Sequence, residues 1–111
     1  MRTLAIVLVL LTFPASAAAR PRYDVPPGFT RCPQAVAWHG FFKWASVRGA
    51  SCGEAARFMR RYAQAAGATM PRRVAGHRCR LRFWRNEEGD VYASRHTCTR
   101  GGATIRFYGM V

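Results

Sequence analysis

The chain has 111 residues, with 18 Lys and Arg against 5 Asp and Glu, a formal charge of +13, and four cysteines. That length holds one small core and excludes a second domain of ordinary size. The charge favours anionic partners, namely nucleic acid, an anionic membrane surface or an acidic envelope polymer, and disfavours cationic ones.

Residues 1–19 read as a signal peptide. Arg2 precedes an apolar run from Leu4 to Leu11, and the small residues Ala15 to Ala19 supply an A-x-A cleavage signal. The run is short for a membrane span. Removing Arg2 with this leader leaves a mature chain of 92 residues carrying +12, all but one of its cations arginine. A GC-rich genome produces the same Arg-, Ala- and Gly-rich composition, so charge alone names no function.

A mature chain of this size gains little stability from burial alone and needs staples. Cys32, Cys52, Cys79 and Cys98 all follow the leader, and an even count in an exported chain predicts two disulfides. The cysteines are not paired as C-x-x-C and no His stands beside them at ligand spacing, so neither a metal nor another cofactor is expected. Cys79 and Cys98 flank a turn at Glu88-Gly89 nearly symmetrically, which favours Cys79–Cys98 with Cys32–Cys52. A bond from Cys52 to a strand is the competing arrangement.

Residues 20–33 form a Pro-rich arm with no periodicity, expected to be extended and tied down at Cys32. The domain proper spans 34–111. Val36 to Val47 is dense in aromatic and β-favouring residues and reads as a strand interrupted at Gly40, with Phe42 and Trp44 on one face and Phe41, Lys43, Ala45 and Val47 on the other.

Ser51 to Gly67 reads as one helix. Ser51 and Glu54 have the spacing of a capping box, and Gly67 stands where a left-handed residue would close the last turn. Ala55, Phe58, Met59, Tyr62 and Ala66 recur on one side, with Arg57, Arg60, Arg61 and Gln64 on the other.

A loop through Pro71 and Gly76 leads to a strand at Arg78 to Arg85, in which Cys79, Leu81 and Phe83 alternate with Arg80, Arg82 and Trp84. A hairpin turn at Asn86 to Asp90 leads to Val91 to Thr99 and, after Arg100-Gly101-Gly102, to a last strand from Ala103 to Tyr108. The β-α-β-β-β order predicts a two-layer α+β domain with one helix across an antiparallel sheet.

The segments Val47-Arg48-Gly49-Ala50-Ser51-Cys52, Ala55-Ala56-Arg57, Gly76-His77-Arg78-Cys79-Arg80, Thr97-Cys98-Thr99-Arg100-Gly101 and Ile105-Arg106-Phe107 resemble a group of small exported actinobacterial proteins of uncharacterised function. The resemblance covers about two-thirds of the mature chain, from Val47 onward. It implies a compact disulfide-linked α+β domain and no particular activity.

Acid–base chemistry would have to come from His39, His77, His96, Lys43 and Glu54, as a secreted ribonuclease-like enzyme would require. No recognised motif joins them, and Ser46, Ser51 and Ser94 lack a nucleophile-elbow setting. No catalytic residue is therefore assigned. A protease inhibitor would need a rigid exposed loop, for which Met70-Pro71-Arg72 is the candidate. A non-catalytic contact with an anionic partner fits the residues better. Arg80, Arg82 and Trp84 would form one basic, aromatic strip and Arg57, Arg60 and Arg61 a second. The plainer reading of both strips is a solvated face whose Arg stems cover apolar surface.

Overall fold

The computed structural model describes Thr3, Ala5 and residues 21–110. The leader expected over residues 1–19, apart from Thr3 and Ala5, lies outside the described residues, as does Arg20. Among the described residues a six-stranded antiparallel sheet carries one helix. The strands are β1 (Thr30–Cys32), β2 (Phe42–Arg48), β3 (Arg73–Val74), β4 (His77–Arg85), β5 (Val91–Arg100) and β6 (Ala103–Met110), in the spatial order β1-β2-β6-β5-β4-β3. The helix α1 (Cys52–Ala65) connects β2 to β3. This is the two-layer α+β arrangement with two short edge strands added, β1 from the arm and β3 from the loop after the helix. Strands of two or three residues carry too little pattern to be read without their partners.

Both disulfides form in the favoured pairing. Cys79 and Cys98 face each other in register across the β4–β5 hairpin, with Cα atoms 4.0 Å apart. Cys32–Cys52 fastens the edge strand β1 to the first residue of the helix. In the hairpin turn, Gly89 takes φ +86° and donates its N–H to the Asn86 carbonyl, while the Asn86 side chain accepts from the Asp90 N–H.

The helix starts as its sequence requires, with the Ser51 hydroxyl accepting the Glu54 N–H at 3.1 Å. Among the described residues the Glu54 carboxylate makes no return bond to Ser51; it lines a cleft instead. The far end also differs from expectation. Ala66 is extended, at φ −74° and ψ 143°, and Gly67 is not left-handed. Tertiary contacts end the helix here: the Tyr62 hydroxyl donates to the Pro71 carbonyl at 2.9 Å, drawing the chain back across the last turn. Ala55, Phe58, Met59 and Tyr62 are buried against Phe42, Ile105 and Phe107.

The largest correction concerns β2. Ala37 pairs with Phe42 itself, so residues 38–41 are a turn and the strand starts only at Phe42. Trp38, His39 and Gly40 all take positive φ there. Within the strand Trp44 has φ +56°, and the pairing with β6 skips between Lys43 and Ser46. This β-bulge reverses the alternation. Phe42, Ala45 and Val47 face the helix, whereas Trp44 emerges on the other side of the sheet.

Phe83, expected in the core with Cys79 and Leu81, is 40% exposed. The helix packs chiefly over β2 and leaves the far end of β4 uncovered.

Candidate functional site

Register brings the cations together. On the face opposite the helix, Arg82 pairs with Arg95, Arg95 with Tyr108, and Tyr108 with Lys43. The neighbouring row runs Arg80, Thr97, Arg106, Ser46 and Arg31. Because residues two apart in a strand share a face, these rows present cationic side chains from β1, β2, β4, β5 and β6 on one surface.

Aromatic rings run beneath them across the sheet. Tyr23 of the arm stacks on Trp44 at 6.2 Å, Trp44 meets Tyr108 edge-on at 5.7 Å, and Tyr108 meets Trp84 at 6.3 Å. The Tyr23 hydroxyl donates to the Ala45 carbonyl at 2.6 Å and pins this end of the row. Each ring carries a cation. Arg31 lies 5.0 Å from Tyr23, Lys43 5.5 Å from Trp44, Arg106 5.7 Å from Tyr108, and Arg82 and Arg95 4.6 and 5.9 Å from Trp84. Each such contact contributes about 0.5–1 kcal/mol where solvent reaches it. The covering is thorough enough that Tyr108 is only 2% exposed although, among the described residues, no helix lies on this face.

Two donors on this face have no partner among the described residues: the indole Nε1 of Trp84 and the Nε of Arg106. Arg106 spends another guanidinium N–H on the Tyr108 hydroxyl, at 2.8 Å. Unpartnered buried donors are costly. Both lie on the face that carries the cationic rows, where the other polar groups are cations and the hydroxyls of Thr97, Ser46 and Tyr108.

Comparisons with protein-family models, with curated proteins and with solved structures each found no match. The site is therefore read from its own chemistry.

Arg80, Arg82 and Trp84 lie on this surface, with the two arginines exposed and Trp84 half-buried. Sequence reasoning missed Tyr23, Arg31, Lys43, Trp44, Arg95, Arg106 and Tyr108. Arg95 and Arg106 carried a readable signal, since each alternates with a core residue, His96 or Phe107. Trp44 had none, because the bulge that turns it outward depends on its partner strand.

Arg57, Arg60 and Arg61 are exposed on α1, on the opposite side of the sheet, and do not join the row. Arg57 and Arg61 instead line a cleft with Glu54, His77 and Arg100. The histidines separate as well. His96 is fully buried, and His39 is exposed in the turn before β2. His77 shares the cleft with a carboxylate, that of Glu54.

The Met70-Pro71-Arg72 segment is tied at two points, Pro71 O to the Tyr62 hydroxyl and Arg72 O to the Cys79 N–H. Among the described residues no cluster of three or more metal-ligating side chains occurs, and no helix is long and apolar enough to cross a membrane.

Proposed function

We propose that this chain is an exported, non-catalytic binding module that holds a phosphate-rich polymer, an envelope polyanion or nucleic acid, across the helix-free face of its sheet. The observation that carries this reading is the row of cations seated on Tyr23, Trp44, Tyr108 and Trp84. A guanidinium held over a ring has already lost much of its rotamer freedom, so less entropy is lost when an anion arrives. The ring faces are already taken by the protein's own cations, so the polymer is gripped by its charged backbone and base stacking is secondary. Export is supported by the two disulfides, which persist in oxidising compartments, and by the leader-like start of the sequence. The resemblance to small exported actinobacterial proteins agrees with that placement.

The test is binding of a labelled single-stranded oligonucleotide, with polyphosphate as competitor, titrated across salt concentrations. Binding is expected to persist near physiological ionic strength. Arg82→Gln with Arg95→Gln should flatten the salt slope by about 1.4, roughly 0.7 for each phosphate of a single strand that is no longer neutralised. Arg57→Gln with Arg60→Gln, on the other side of the sheet, should leave it nearly unchanged. Binding that disappears before physiological salt, or that responds equally to both pairs, overturns the proposal.

A further inference from the structure

A second cationic feature lies on the helix side of the molecule and is independent of the sheet face. An open cleft of about 360 Å³ separates α1 from the β3–β4 turn and the β5–β6 hairpin. Arg57 and Arg61 reach it from successive turns of the helix and Arg100 from the end of β5. Phe58 and Ile105, both buried, form its apolar floor.

The arginines are held in distinct ways. A Cβ placed on Gly53 would lie 3.6 Å from a guanidinium nitrogen of Arg57, so that side chain folds back over the helix start. One placed on Gly76 would lie 3.4 Å from Nε of Arg100, so the guanidinium lies against bare backbone there. The His77 ring sits 4.4 Å from that of Phe58, and its Nδ1 lies 3.2 Å from the Ala75 carbonyl. A carbonyl can only accept, so Nδ1 is the donor in that bond and the ring is held in place beside Phe58. One carboxylate, that of Glu54, lines the cleft together with the three arginines, Arg57 and Arg61 on its own helix and Arg100 on β5.

We infer that this cleft is a binding site for a phosphate monoester carried on a small apolar or aromatic body. The guanidinium forks match the oxygens of a terminal phosphate, and its dianionic charge offsets the surplus of cations. The floor of Phe58 and Ile105 takes the rest of the ligand, and the volume falls in the lower range of small-molecule sites. Glu54 stands as the one repulsive element. It disfavours carboxylate-rich ligands without the charge density of a phosphate and limits how many anionic groups enter.

The experiment uses the intact oxidised protein and two probes, inorganic phosphate and phenyl phosphate, with affinity read from amide shifts in two-dimensional NMR. Phenyl phosphate should bind at least several-fold more tightly than phosphate and shift resonances of Phe58, His77 and Ile105. Arg61→Gln or Arg100→Gln, both at exposed positions, should each weaken phenyl phosphate roughly tenfold at unchanged melting temperature, in line with removal of one charge-assisted hydrogen bond. Arg82→Gln on the sheet face should not change it. The site is refuted by equal weakening in Arg82→Gln and Arg61→Gln, by no preference for the phenyl ester, or by no saturable shift at millimolar probe. Because polymer binding is read on the opposite face with different variants, either proposal can fail while the other stands.

Discussion

The Nδ1 of His96 lies 2.8 Å from the hydroxyl of Tyr62, joining the central strand β5 to the helix inside the core. The Tyr62 hydroxyl donates its own proton to the Pro71 carbonyl, so His96 must be the donor in this pair. Its Nε2 then accepts from the Ser94 hydroxyl at 2.7 Å. The neutral imidazole satisfies the whole chain. Phe42, Tyr62 and Phe107 pack around the ring, and burial pushes the His96 pKa down to about 4. Burial pushes the Tyr62 hydroxyl up for the same reason.

Stability should therefore depend on pH in a defined window. The unfolded chain binds a proton at His96 below about 6.5 and the folded chain only below about 4, so unfolding takes up a proton between these values. The contribution is present in full above the upper value and is lost as pH falls towards the lower one, by at most about 1.4 kcal/mol per pH unit. Urea unfolding at intervals between the two limits checks it. In His96→Asn the baseline stability drops but this part of the slope disappears; an unchanged slope would assign it to other groups.

Reduction should unfold the domain or bring it close to unfolding. The bonds span 20 and 19 residues, and closing a loop of that order stabilises by roughly 3 kcal/mol in the chain-entropy treatment. Two such terms are comparable with the whole stability expected of a domain this small. Thermal melts with and without reductant measure the sum, and the Cys79→Ala/Cys98→Ala double variant isolates the hairpin bond. Peptide mapping under non-reducing conditions should yield Cys32 joined to Cys52 and Cys79 to Cys98.

Gly49→Ala should be among the most damaging surface substitutions. Gly49 sits at φ +68°, and a Cβ there would clash with the Gly102 carbonyl oxygen. The left-handed backbone costs an L-residue about 1–2 kcal/mol, and the clash forces the β5–β6 hairpin away from the turn that leads into the helix. A melting temperature lowered by roughly 10 °C is expected. Gly67→Ala, where nothing lies within 4 Å and φ is not positive, serves as the control and should be close to neutral.

RNA should remain intact after prolonged incubation with the oxidised protein. Cleavage needs an acid and a base at one phosphate. His96 is sealed in the core and His39 stands exposed in the turn before β2, whereas Glu54 and His77 line one cleft. Electrophoresis of a labelled RNA measures this directly. Shortening that is abolished by Glu54→Gln or His77→Ala, but not by His39→Ala, would make the helix-side cleft catalytic and remove the non-catalytic reading.

What was legible in the sequence was local. Ser51 caps the helix through chemistry carried within four residues, and the apolar side of α1 follows from its 3.6-residue period. Cys79 and Cys98 find each other because a glycine turn lies midway between them. The illegible features are set by partners distant in sequence. Ala66 ends the helix in extended form because Tyr62 is bonded to Pro71, and Thr30–Cys32 is a strand only because β2 lies beside it. The cationic face was glimpsed through Arg80, Arg82 and Trp84 alone. Its larger part depends on strand register, which places Arg95 beside Arg82 and Tyr108 beside Lys43.

Phe42 and Trp44 give that dependence an experimental form. In a regular strand these residues, two apart, share a face and truncating either would have the same kind of effect. The bulge at Trp44 separates them. Phe42 is fully buried among Tyr62, His96 and Phe107, whereas Trp44 lies between Tyr23, on which it stacks, and Tyr108, which it meets edge-on, under Lys43 on the opposite face of the sheet. Phe42→Ala should cost about 3–5 kcal/mol, as expected for a large ring removed from a closed core, with polymer affinity unchanged in whatever fraction stays folded. Trp44→Ala should cost less stability and weaken polymer binding several-fold, because Lys43 and the Tyr23 end of the row lose the ring that seats them. Denaturant melts paired with oligonucleotide titrations separate the two effects. Parallel losses in both assays for both variants would mean that the strand runs unbroken and that Trp44 belongs to the core.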